Sequence, residues 1–241
     1  LDPEKLVSII QKYYSTNHFK IVEILPPRQK LIYLITLLET VGQSDFEPKW
    51  ILLIFQLLVQ YSPQSAYTFL SKHMDEINID EAEKIAIKAN RVDCEVQIKI
   101  FKHKYSESVE RIGNQIEEVL LELIESNTRV SVTSIDELPD IKELKKPMDV
   151  IASSIELLGC ITTGKAISWQ KVFLKFQFPL YHAMQKSKTE KSNIFNTIEL
   201  LFCYFVISSL NYISIQHLLA ILSVHFSVSI TQKDYLYILQ T

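Results

Sequence analysis

GCITTGKA, residues 159–166, decides between two folds. Seven of its eight positions match the phosphate-cradling pattern G-x-x-x-x-G-K-[ST], with Gly159, Gly164 and Lys165 in register. A working loop of this kind follows a buried strand, opens a helix and belongs to a parallel sheet. The residues in front, MDVIASSIELLG (148–159), instead place Met148, Ile151, Ile155 and Leu158 at helical spacing. The eighth position is Ala166, so the hydroxyl that would hold Mg²⁺ is missing. The two glycines then read as breakers between helices. No nucleotide, metal or other cofactor is expected.

Composition points the same way. The chain has 241 residues, 47% hydrophobic and 22% charged, which is the make-up of a folded protein. It contains only 4 glycines, where ordinary usage would give roughly 17. Glycine supplies the positive-φ residues of hairpins and phosphate loops, so its scarcity argues against a β-sandwich or a doubly wound sheet. The net charge of −3 advertises no basic surface for nucleic acid. The 3 cysteines, Cys94, Cys160 and Cys203, are too far apart for a disulfide framework or a zinc knuckle. They read as reduced, buried small hydrophobes of an intracellular protein, cytoplasmic or nuclear. No leader pattern is legible, and because the chain opens on Leu1 rather than Met this carries no weight.

Helical punctuation runs along the whole chain. Asp2-Pro3 and Ser62-Pro63 read as caps followed by proline at the first helical position, and Pro27 opens another helix. WILLIFQLLV (50–59) is apolar all round and predicts a central helix. Asp80 and Glu83 read as a capping box. Residues 94–105 are ambiguous: Val96, Ile98 and Ile100 alternate like a strand, whereas Cys94, Ile98, Phe101 and Tyr105 share a helical face. Helix is the better reading, because a lone strand would leave its backbone unpaired. Val109, Ile112, Ile116, Val119 and Leu123 then follow the 3-4-3-4 spacing of packed antiparallel helices. Past it the chain turns polar, and a helix over 169–178 is expected to be kinked or broken by Pro179. A loop is expected at QKSKTEKSN (185–193), and two short C-terminal helices echo each other at a 17-residue offset.

These features predict an all-α protein of about ten to twelve helices. The arrangement expected is an irregular antiparallel array, either a HEAT-like α-solenoid or a large bundle. The expected organisation is an N-terminal helical half (1–126), a polar connecting loop (127–147) and a C-terminal helical half (148–241). The six histidines lack ligand spacing, and no catalytic residue is assigned.

Two features stand above background. Residues 106–126 hold six acidic residues and one basic, while 165–191 hold six lysines and one glutamate. The two segments are merely solvated surfaces, or face each other within the fold, or leave a lysine face, Lys171, Lys175, Lys186, Lys188 and Lys191, to steer an acidic protein partner. Nucleic acid is not the expected partner, since Arg is scarce and aromatics do not interleave the lysines. The second feature is residues 200–232, 33 positions without Asp, Glu, Lys or Arg. Their length would admit a membrane span, but Ser208, Ser209, Asn211, Ser214, Gln216, His217 and Ser223 interrupt them. The reading favoured is therefore a non-enzymatic interaction or scaffold domain within a multi-protein assembly. A membrane-associated helical protein is the second reading, and an enzyme whose site is assembled from scattered residues is the third.

Overall fold

The computed structural model describes residues 18–41, 48–126, 134–161, 165–190 and 193–225, with Lys5, Val7, Phe46 and Val132 besides. These residues form twelve α-helices and no strand. The protein is all-α. The chain divides into two compact units, Leu1–Lys102 and His103–Thr241. The polar stretch 127–147, expected to connect two halves, falls inside the second unit. Its described part holds two 3₁₀ turns, Ile135–Asp140 and Lys142–Leu144. Leu138 and Leu144 are buried there and anchor the segment.

The first unit contains α1 (His18–Ile24), α2 (Pro27–Val41), α3 (Pro48–Tyr61), α4 (Pro63–Lys72), α5 (Ile79–Lys88) and α6 (Val92–Phe101). Three of these helices begin on proline, whose fixed φ suits a first helical residue and whose missing N–H has no partner there anyway. Ser62 precedes Pro63 as expected but makes no side-chain cap; its hydroxyl meets Ser65 instead. Helix α3 buries Trp50, Ile51, Ile54, Phe55, Leu57, Leu58 and Val59, and α2, α4 and α5 all pack on it. The ambiguous stretch is helical: α6 places Cys94, Val96 and Ile98 in the interior and leaves Phe101 exposed. Burial pushes the Cys94 thiol up to about 12, which leaves it an inert hydrophobe.

Helix α5 corrects the expected capping box. Asn78, two residues earlier, accepts the Glu81 N–H. Asp80 and Glu83 instead converge on the Lys102 ammonium, at 2.6 and 2.5 Å, and clip the start of α5 to the end of α6. The clip raises the Lys102 pKa through those two hydrogen bonds.

The second unit contains α7 (Tyr105–Glu125), α8 (Lys145–Gly159), α9 (Lys165–Leu174), α10 (Gln177–Glu190), α11 (Ile194–Ser209) and α12 (Ile215–His225). Helices α8, α9 and α10 pack on α7, and α11 packs on α8 and α10. Pro179 neither kinks nor ends a helix: α9 stops at Leu174, and Pro179 sits in the first turn of α10, where it is tolerated. As far as His225, the charge-free stretch is divided between α11 and α12 by a turn. At that turn Ser214 caps α12, its Oγ accepting the His217 N–H at 3.4 Å and meeting Nδ1 at 2.8 Å. No helix among the described residues is long and apolar enough to cross a membrane. The second copy of the 17-residue echo, at 230–239, lies outside the described residues.

A glycine-poor chain must turn its corners with other residues. Asn90 (φ 51°) and His103 (φ 58°) take the left-handed conformation after α5 and α6. After α5 the bonds are Arg91 N–H to the Ala86 carbonyl and Asn90 N–H to the Ile87 carbonyl, a Schellman closure usually built on glycine. We expect Asn90→Val to cost about 1–2 kcal/mol in urea unfolding, and Asn90→Gly to cost less than the valine variant. Equal stability of the valine variant and the parent would remove this role for Asn90.

Helix α1 is tied to α2 by a 2.6 Å hydrogen bond between His18 Nδ1 and the buried Tyr33 hydroxyl. Burial lowers the His18 pKa and raises that of Tyr33 to about 12, so the bond joins a neutral imidazole to a neutral phenol. Because the folded pKa of His18 is depressed, its contribution is present above about pH 6.5 and is lost as pH falls below it. Thermal melts at pH 7.5 and 5.5 should therefore separate more for the parent than for His18→Gln.

Candidate functional site

The glycine of the phosphate-loop-like stretch finds a structural explanation. The residues before Gly159 are helix α8 and not a strand. A Cβ on Gly159 would lie 2.3 Å from Cε1 and 2.4 Å from Cδ1 of Tyr212, so the glycine makes room for that ring. Tyr212 in turn stacks on the buried Trp169, with ring centroids 6.2 Å apart and planes at 25°. Trp169 also packs on Phe205, and Phe173 and Phe176 continue the aromatic cluster across α9 and α11. Ile161 is buried in the connection, while Cys160 is exposed, contrary to its expected burial. It follows the last helical residue of α8, where the chain emerges. Gly164 lies outside the described residues.

The lysine face is divided by the fold. Lys175 lies across helix α7: its ammonium is 3.0 Å from Glu117 Oε2, and its stem crosses Gly113. A Cβ on Gly113 would come within 2.8 Å of Lys175 Cγ, so this glycine sets how closely the lysine approaches. Lys186 donates to the Ile124 carbonyl at 2.5 Å, near the C-terminal end of α7, where a cation also complements the helix dipole. Lys171 reaches Ser106 Oγ at 3.4 Å and is otherwise exposed. Lys188 is exposed, and Lys191 lies outside the described residues. The acidic and basic segments thus meet in part within the unit.

Most of the expected loop 185–193 is helix, since α10 continues to Glu190. This continuation exposes a row the sequence reading missed. Phe178, Tyr181, Gln185 and Lys188 recur at helical spacing on the outer side of α10, and the two aromatics are 56% and 58% exposed. Phe178 also stacks on His182, with centroids 6.1 Å apart. Aromatics do accompany the lysines, then, once the chain is coiled. The signal was present in FQFPLYHAMQKSK (176–188), where 178, 181, 185 and 188 follow 3-4-3 spacing.

Two concave surfaces complete the described candidates. One is an open groove of about 690 Å³ between α2 and α4 in the first unit. The other is a shallow cleft of about 280 Å³ where Glu122 and Lys146 form an ion pair beside Glu143. Among the described residues no group of three His, Cys, Asp or Glu is placed to hold a metal ion. No protein-family model, curated protein or solved structure matches this chain.

The packing at Gly159 yields a contrast within one motif. Gly159→Ala should destabilise the protein by about 1–3 kcal/mol, since the ring it would strike is held by Trp169. The loss should be less than additive with Tyr212→Ala. Lys165→Ala should leave urea unfolding unchanged. Micromolar ATP binding by the parent that is lost in Lys165→Ala would overturn this account of the motif.

Proposed function

We propose that this chain is a non-enzymatic helical interaction domain. In this reading it is a scaffold within a larger intracellular assembly and holds an acidic segment of a partner protein against the outer face of α10. The observation that carries the reading is the exposure of Phe178 and Tyr181 on one helix face with Lys188 two to three turns further along. Exposed aromatic side chains of this kind supply the anchor contacts of protein interfaces at little cost in rotamer freedom. Lys188 and Lys171 keep charge in solvent and would speed encounter with an acidic chain. Lys175 and Lys186 are already engaged with α7 and serve the fold first.

The same surroundings favour a short acidic segment over a nucleic acid. Helix α10 packs on α7, which exposes Glu118 and Glu125, and a long polyanion leaving the lysines would meet those carboxylates. An irregular array of packed helices suits a scaffold, because it presents separate surfaces on rigid elements.

Proteins captured by the parent but lost by the double variant Phe178→Ser, Tyr181→Ser would identify the partner, and the purified pair then gives the test. The double variant should weaken binding by about tenfold or more with unchanged melting. Lys171→Glu with Lys188→Glu should slow association chiefly at low salt. Equal affinity of all variants for the purified partner would end the proposal.

A further inference from the structure

The first unit carries a surface of different character. Helices α2 and α4 both pack on α3, and the groove between them is floored by Leu31, Ile35 and Leu38 of α2, Leu58 of α3 and Phe69 of α4. Ile32, on the same wall, is 45% exposed, a large apolar residue left in solvent. Leu31, Ile35 and Leu38 stand at i, i+4 and i+7; Leu31 and Leu38 belong to the core of the unit, and the half-buried Ile35 beside exposed Ile32 offers the apolar surface that another helix could meet. The groove is open to solvent and so does not enclose a small molecule as a closed ligand cavity would.

Its rim specifies more. Gln64 and Thr68 line the α4 side with neutral polar groups, and two charges of opposite sign stand on opposite walls. Glu39 belongs to α2 and Lys72 to α4; both are exposed, and neither forms an ion pair with another described residue. A uniformly charged surface such as a nucleic acid or an anionic membrane would satisfy one and repel the other. A helix with an apolar stripe, cationic residues on the flank toward α2 and acidic residues on the flank toward α4 would satisfy both. We infer that this groove binds an amphipathic helix of a partner protein with oppositely charged flanks, as a helix-in-groove site. It is separate from the α10 face and does not depend on that reading.

The test uses the full chain and a labelled synthetic helical peptide with leucines at i, i+4 and i+7, lysines on one flank and glutamates on the other. Fluorescence anisotropy should show saturable binding that a scrambled peptide lacks. Ile32→Asp and Thr68→Arg, both at exposed positions, should each weaken binding by about tenfold or more while melting stays unchanged. Glu39→Lys combined with Lys72→Glu should reduce binding of this peptide and favour one whose flanks are exchanged.

Failure to saturate, equal binding of the scrambled peptide, or indifference to Thr68→Arg would overturn the inference. So would a dimer in sedimentation that Thr68→Arg dissolves, since a second copy would then be the occupant. The Phe178→Ser, Tyr181→Ser variant should bind the peptide as the parent does, which keeps the failure of either surface distinct from that of the other.

Discussion

A helix that is apolar around most of its circumference cannot lie at the edge of a fold, and α3 is such a helix. Its seven buried residues include Trp50 and Phe55, and burying a large apolar side chain contributes about 1.5–3 kcal/mol each. That gain is realised only if neighbours cover it on several sides, which α2, α4 and α5 do. Two helices laid on a common third leave a trough wherever their own side chains do not meet. The floor of the groove, with Leu58 at its base, is thus a consequence of how α3 is covered. Helix α7 has the same role in the second unit, with α8, α9 and α10 around it.

Charge follows this packing more than it directs it. The pair Lys175–Glu117 is partly exposed, and pairs of that kind contribute below about 1 kcal/mol. What fixes its geometry is Gly113, which lets the lysine stem lie against the α7 backbone before the ammonium reaches Glu117. Lysine suits this position because its four-carbon stem covers apolar surface while its head remains wet. The opposite charges of the two segments therefore neutralise each other only where backbone approach allows it. Lys171 and Lys188 are left on the outside.

The helical class was legible because it rests on local signals: few glycines, prolines at helix starts, and stripes that recur every three or four residues. Even the ambiguous stretch 94–105 yielded to a local argument, since no second strand was available to pair with it. What was not legible depends on residues far apart in the chain. The purpose of Gly159 is the ring of Tyr212, and Lys175 finds Glu117 on another helix. The cap of α5 was misplaced for a different reason: Asn78 and Asp80 are both good caps, and only the pull of Lys102 on Asp80 and Glu83 separates them. The groove could not be read at all, because its walls come from α2 and α4 and neither sequence alone marks a concavity. The α10 row is hidden in the sequence because QKSKTEKSN (185–193) has the polarity of a loop, which separates Lys188 from the face it shares with Phe178.

The two surfaces differ in how they would discriminate between partners. On the reading proposed for α10 the aromatic anchors would be unselective and the lysines would act over a distance, so specificity there would depend on an acidic sequence and weaken as salt rises. In the groove the apolar ridge demands a helix, and opposed charges demand a direction, because reversing the helix exchanges its flanks. A wrong orientation would place like charges against both Glu39 and Lys72. The two selection rules differ in form, one reading net acidity and the other the arrangement of charge on a helix, and they lie on different units. A partner carrying an acidic segment and a helix of this kind would have each read by a separate rule. On these proposals, two modest surfaces would together be selective, since each imposes a rule that the other does not.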